Sequence, residues 1–196
     1  MIDFSWNNKT YHFETSPDLF SPLGVDRGTQ AMLSFVTYQP EDRVLDLGCG
    51  YGVVGILAAD LLGTAQVVMA DVNPLAVELA LANADRNGLP GIRAYVSDGF
   101  ASIPESGFSK VLSNPPYHTD FRVAKGFIEK GFNRLQIGGR MYLVTKRKDW
   151  YKNKLIAIFG GVRIHEQDGY YVFEAEKRSG SYASSPKPKV AGKRKK

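Results

Sequence analysis

The chain has 196 residues, 43% of them apolar and 23% charged, a length that suits one domain with its own core and leaves little room for two. Its single cysteine, Cys49, excludes an internal disulfide framework and a cysteine-based zinc site, and fits a reducing, cytoplasmic setting. The net charge of +5 is concentrated at the C-terminus, because 19 basic side chains face 20 acidic ones in residues 1–178 and six bases with no acid follow them.

Taken in chain order, Met1-Ile2-Asp3-Phe4 lacks the basic-then-apolar layout of a signal peptide. No run approaches the roughly 20 consecutive apolar residues of a spanning helix, so no membrane partner is expected. Residues 1–40 read as a segment packing on the domain formed by 41–178. A first strand is predicted over 43–47, running into a glycine cluster from Gly48 to Gly55 and a helix through about 62. A second strand, 66–70, leaves Asp71 at its end. Asn73 can cap the next helix, with Pro74 in its first turn and Gly88 as its stop. Residues 93–97 form a third strand with Asp98 just beyond, and 110–113 a fourth, followed by Asn114-Pro115-Pro116-Tyr117. A helix near 122–135, a strand at 140–145 and a helix near 150–159 continue the alternation. Two β runs, 162–166 and 170–176, flank Asp168-Gly169, a hairpin signal. The fold class is α/β: a Rossmann-like, doubly wound, seven-stranded and mostly parallel sheet with one antiparallel strand. Residues 179–196 carry Lys187, Lys189, Lys193, Arg194, Lys195 and Lys196. Their Ser, Gly, Pro and Lys composition predicts a disordered basic tail that attracts polyanions.

Ligands of such sheets bind beyond the carboxyl ends of the strands, and four polar segments converge there. Gly50-Tyr51-Gly52-Val53-Val54-Gly55 matches the dinucleotide pattern G-x-G-x-x-G, with an acid 21 positions beyond Gly50 at Asp71. Asp46 opposes that reading, because a carboxylate ahead of the loop repels a pyrophosphate and attracts an ammonium. Asp-x-Gly-x-Gly instead suits S-adenosylmethionine. Gly48 and Gly50 let the backbone approach the methionine portion, Asp71 accepts the ribose hydroxyls, Asp98 meets the adenine amino group, and Phe100 packs on the ring. Oxidoreduction with NAD is the remaining alternative.

Asp46-Leu47-Gly48-Cys49-Gly50, Asp71 and Asn114-Pro115-Pro116-Tyr117 together resemble class I S-adenosylmethionine-dependent methyltransferases acting on planar exocyclic or amide nitrogens. The segment Phe20-Ser21-Pro22-Leu23-Gly24-Val25-Asp26-Arg27-Gly28-Thr29-Gln30 is similar to the one ahead of the first strand in the methyltransferase small domain group, which includes ribosomal RNA guanine-N2 methyltransferases. The resemblance covers about residues 11–177. The cofactor set expected on these grounds is Asp46, Gly48, Gly50, Asp71, Val72, Asp98, Gly99, Phe100, Asn114 and Thr29.

Physical chemistry supports the same assignment. An aryl or amide NH2 is a poor nucleophile because its lone pair is delocalised. Two acceptors, the Asn114 side-chain oxygen and the Pro115 carbonyl, can hold its N–H groups and aim the lone pair at a sulfonium methyl. Pro115 and Pro116 stiffen the loop and add no competing N–H, and Tyr117 offers a stacking face. His118 can line the site or relay the departing proton. Cys49, between two glycines, reads as a small buried residue rather than a thiol nucleophile. His12, His118 and His165 are scattered and make no metal site.

Lys146, Arg147 and Lys148, after the fifth strand, lie on the same edge and can grip phosphates. With the tail and the resemblance they favour RNA, most specifically guanine N2 of ribosomal RNA, as a naked strand or in a ribosomal subunit. Protein glutamine, DNA adenine N6 and a non-catalytic RNA-binding module are the other readings. Guanine-N2 enzymes of the group often carry an extra N-terminal domain. Here the short N-terminal segment, the tail or a second copy of the chain is expected to take over its role, so the chain is read as a monomer or a homodimer.

Overall fold

The structure, a computed structural model, describes residues 1–116 and 121–183. Ile2–Trp6 (β1) and Lys9–Phe13 (β2) form an antiparallel hairpin apart from the main sheet. Asn7 and Asn8 close it at φ 49° and 63°, the left-handed pair a two-residue turn between twisted strands requires. Tyr11 and Phe13 bury the hairpin on the domain. The buried Asn83 amide accepts the N–H of Glu14 at 2.7 Å and donates to the carbonyls of Glu14 at 2.8 Å and Tyr51 at 3.0 Å, which joins the end of the hairpin to the glycine loop. After an irregular stretch, Asp26 caps Arg27–Phe35 (α1) by accepting the N–H of Thr29 at 3.0 Å. Residues 1–40, expected only to pack on the domain, thus hold a hairpin and a helix of their own.

The domain then alternates as its pattern dictates. Val44–Leu47 (β3) leads through Val53–Leu62 (α2) to Val67–Asp71 (β4), and Pro74–Arg86 (α3) leads to Arg93–Val96 (β5). Gly88 ends α3 at φ 75°, with Leu89 N–H bonded to the Ala84 carbonyl and Gly88 N–H to that of Asp85, a helix stop that needs a left-handed residue. Phe108–Ser113 (β6), Arg122–Arg134 (α4), Leu135–Thr145 (β7), Lys148–Phe159 (α5), Arg163–Gln167 (β8) and Tyr170–Glu176 (β9) follow. Strand β7 starts five residues ahead of its predicted beginning at 140. Its early part runs through Gly138 at φ 82° and pairs with β6 across a register shift, an irregularity that hides its strand pattern.

The sheet order is β5-β4-β3-β6-β7-β9-β8. Strand β9 runs antiparallel to both neighbours and every other pair is parallel, so the seven-stranded, mostly parallel sheet with one antiparallel strand stands as expected. Asp168 and Gly169, at φ 52° and 77°, make the β8–β9 turn. One face of the sheet packs on α1, α2 and α3 and the other on α4 and α5, each through a continuous apolar cluster. The chain order reverses between β3 and β6, so their carboxyl ends open into the crevice where such sheets bind ligands. Among the described residues, no helix is long and apolar enough to cross a membrane.

Residues 179–183, expected as part of the tail, rest on the body. The Ala183 N–H donates to the Ile158 carbonyl at 3.0 Å, and the Tyr182 ring meets Phe132 edge-on at 5.1 Å. The backbone thus stays on α5 and α4 through Ala183, and 184–196 lie outside the described residues.

Candidate active site

A cleft of about 580 Å³ lies beyond the ends of β3, β4 and β6, closed on one side by the loop 18–26 and the first turn of α1. Its floor is the glycine loop, whose backbone Gly48, Gly50 and Gly52 hold at φ 75°, 53° and 97°. The loop's amides are mostly spent inside the protein. Gly48 and Cys49 N–H both donate to the Ala70 carbonyl, Gly52 N–H to that of Cys49, Gly50 N–H to Asp71 Oδ2 at 2.9 Å and Gly55 N–H to Asp46 Oδ2 at 2.8 Å. A pyrophosphate site needs such N–H groups aimed outward, so this loop is a poor dinucleotide cradle despite its spacing.

Asp46 and Asp71 contribute negative charge instead. Asp46 is buried, at 2% exposure, yet borders the cleft. Burial pushes its carboxyl up to about 7, against the pull of the Gly55 N–H and with a further push from Asp71. Asp71, half-buried, accepts from Gly50 through one oxygen and from Asn73 N–H at 2.9 Å through the other; each oxygen keeps a lone pair for a ligand hydroxyl. Val72, Asp98 and Gly99 line the same end. Cys49 is buried and its thiol is held well above the usual range by burial and by the Asp46 and Asp71 charges, which leaves it protonated and inert.

Phe100 does not line the cleft. Gly99 turns at φ 57° and Phe100 follows it into the core beneath α4, at 3% exposure. The aromatic wall comes from α4, where Phe127 borders the cleft and its ring lies 3.5 Å from where a Cβ on Gly99 would sit.

At the end of β6, Asn114 Nδ2 donates to Asp26 Oδ2 at 2.8 Å and to Thr29 Oγ1 at 3.0 Å, while Asn114 Oδ1 is buried without a hydrogen-bond partner. Pro115 and Pro116 continue the wall. Thr29, expected to touch cofactor, borders the cleft and also holds Asn114. Asp26 is a site residue that sequence reasoning missed, although it opens the Asp-x-Gly-Thr segment; a helix cap is sufficient reason for an acid there. Tyr117 and His118 lie outside the described residues. Lys146, Arg147 and Lys148 do not line the cleft. They are exposed just past β7, seated over the rings of Tyr170, Phe121 and Tyr171 at 4.9, 5.1 and 4.9 Å, and Phe121 stacks on Trp150 at 4.3 Å.

Comparison with known proteins gives the family. Residues 10–174 match the family described as methyltransferase small domain. The protein YbxB of Bacillus subtilis (strain 168) is 32% identical over 180 residues, covering 89% of this chain and 90% of that one. Ribosomal RNA small subunit methyltransferase C of Haemophilus influenzae (strain PittGG) is 33% identical over 159 residues, covering 79% of this chain and 48% of the relative. The chain therefore spans about half the length of that enzyme. The Thermus thermophilus 16S rRNA N2 G1207 methyltransferase, solved with AdoMet and guanosine, superposes with a TM-score of 0.83 at 27% identity over 90% of this chain and 50% of that one. With its matched span running from the hairpin to β9, this chain belongs to the methyltransferase small domain family.

Proposed function

We propose that the chain transfers a methyl group from S-adenosylmethionine to an exocyclic amino nitrogen of a base in RNA, with guanine N2 of ribosomal RNA as the target. The observation that carries this reading is the orphaned Asn114 Oδ1 at the end of β6, a buried acceptor whose own nitrogen is already bonded. A buried oxygen left without a partner costs stability, and an incoming N–H removes that cost.

The cofactor fits the donor set of the cleft. Asp46 suits an ammonium, Asp71 a pair of hydroxyls, Asp98 an amino group and Phe127 a flat ring, and the inward-turned amides of the glycine loop disfavour a dinucleotide. When bound, S-adenosylmethionine supplies an electrophilic methyl on a sulfonium centre. Asn114 Oδ1 takes one N–H of the substrate amine and the Pro115 carbonyl the other, which turns the nitrogen lone pair toward the methyl donor. Holding the reacting atoms in line supplies much of the rate. No strong base is required, because the amine proton becomes acidic once the nitrogen is methylated and can leave to water or through His118. Tyr117 stacks on the base, and Lys146, Arg147 and Lys148 hold phosphates on the rim beyond β7.

The Thermus enzyme's guanosine complex and the small-subunit methyltransferase relatives support guanine in ribosomal RNA as the target. The test incubates the protein with tritiated S-adenosylmethionine and separate RNA, DNA and protein fractions, followed by nucleoside analysis of labelled material. Label in N2-methylguanosine is expected. Label in glutamine or N6-methyladenine overturns the RNA target while keeping the chemistry, and label in none of the three fractions contradicts the transferase reading.

A further inference from the structure

We infer that Asp26 is a positioning residue of this site: its carboxylate decides which end of the Asn114 amide faces the substrate. The inference rests on the reading of Asn114 as the acceptor for the substrate amine.

An amide can rotate half a turn about its last bond and exchange an acceptor for a donor. Only one of the two orientations can hold an N–H. Thr29 Oγ1, 3.0 Å from Asn114 Nδ2, cannot choose between them, because a hydroxyl donates or accepts as its neighbour demands. A carboxylate accepts only. With Asp26 Oδ2 2.8 Å from Nδ2, a flipped Asn114 would set two acceptor oxygens against each other, so Asp26 imposes the orientation in which Oδ1, on a residue that borders the cleft, is the end left without a partner.

Asp26 is itself held in place. The same oxygen accepts the Thr29 N–H at 3.0 Å as the cap of α1. A Cβ on Gly28 would lie 2.8 Å from that oxygen and 2.7 Å from the ring of Tyr170, so only glycine allows the first turn of α1 to lie this close to β9. Two side chains 88 positions apart are thereby joined, and the segment ahead of β3 becomes part of the transfer site rather than a cover for it.

The test separates the capping role from the positioning role. Asp26→Ser keeps an oxygen able to cap α1 but is too short to reach Asn114; Asp26→Asn keeps the reach, and the Thr29 N–H that must be capped at the same position pins its oxygen, not its NH2, toward Asn114. Methyl transfer is measured on an unmodified small-subunit ribosomal RNA transcript, with S-adenosylmethionine affinity measured by calorimetry. Asp26→Ser is expected to lower kcat by up to about 100-fold, the cost of misplacing a reacting group, with cofactor affinity nearly unchanged, and Asp26→Asn to recover most of the loss. In an Asn114→Ala background Asp26→Ser is expected to cause no further loss. Wild-type kcat in Asp26→Ser beside an inactive Asn114→Ala overturns the positioning role and leaves the Asn114 reading intact; full activity in Asn114→Ala overturns that reading instead. Equal losses from Asp26→Ser in both backgrounds also overturn the positioning role.

A second measurement depends on neither RNA nor Asp26→Ser folding. The Asn114 side-chain NH2 resonances of the ligand-free protein, assigned by their absence in Asn114→Ala, are expected to move upfield in Asp26→Asn as the charged acceptor is removed. Unmoved resonances overturn the proposed bond.

Discussion

The carboxylate of Asp71 accepts the N–H of Gly50 at 2.9 Å, so the acid at the end of β4 holds down the loop at the end of β3. Its other oxygen accepts the Asn73 N–H, which ties the start of α3 into the same knot. One side chain thus shapes the floor of the cleft while presenting its free lone pairs to a ligand. Asp71→Ala should therefore weaken S-adenosylmethionine binding by about 1–3 kcal/mol, the range for unpaired polar groups, and speed hydrogen exchange at Gly50. Calorimetry and native-state exchange check the two effects separately.

Asp46 gives the cofactor site a pH dependence with a definite sign. Its carboxyl titrates near 7 in the ligand-free fold, and only the ionised form attracts an ammonium. Affinity for S-adenosylmethionine should therefore rise between pH 6 and 8 and level off above, and Asp46→Asn should flatten that rise. The stability effect runs the other way. A carboxyl whose pKa is raised on folding makes the native state bind more protons than the unfolded chain, so its contribution to stability is lost as pH climbs from about 4 to 7. Ligand-free Asp46→Asn should accordingly melt higher than wild type at pH 8, by a few degrees at about 2–4 °C per kcal/mol. A lower melting point there would contradict the effect of burial on this carboxyl.

Gly55 is where α2 lies against β4. A Cβ there would fall 2.5 Å from Met69 Cγ, so Gly55→Ala forces the helix off the strand at a cost of about 1–3 kcal/mol. It also displaces the N–H that Asp46 accepts. Chemical denaturation should show the loss, and a second substitution, Met69→Ala, should recover part of it.

The strand ends were the most legible part of the sequence. β3, β4 and β6 are short strands that carry a polar residue at or beside the carboxyl end, so Asp46, Asp71 and Asn114 could be brought to one edge without knowing a single contact. What failed was inference from adjacency. Phe100 follows Asp98 by two positions, but the left-handed turn at Gly99 sends its ring into the core, and the cleft borrows Phe127 from a helix 27 positions away. The hairpin β1–β2 left a signal that went unused, the alternation Ile2, Phe4, Trp6 ending in two asparagines. The bond between Asp26 and Asn114 left none, since the spacing of two residues in different elements does not encode the distance between them.

The basic residues past Ala183 are expected to act through charge alone. Truncation after Ala183 preserves the packing of Tyr182 and Ala183 on the body, so the melting temperature should be unchanged. RNA affinity should fall, and its dependence on salt should flatten by about 0.7 in the log–log slope for each phosphate that the tail no longer neutralises. Filter binding across a salt series provides the check, and coincident slopes for the two chains would show that the tail takes no part in holding RNA.

The most direct test of the proposed chemistry is single-turnover methyl transfer by Asn114→Ala, with S-adenosylmethionine affinity measured on the same preparation. The rate is predicted to fall at least about 100-fold, the size of effect seen when a group that orients the reacting atoms is removed, with cofactor affinity close to that of the parent chain. A rate equal to the parent's would contradict the mechanism, because the oxygen left unpartnered at the end of β6 would then have no part in holding the amine.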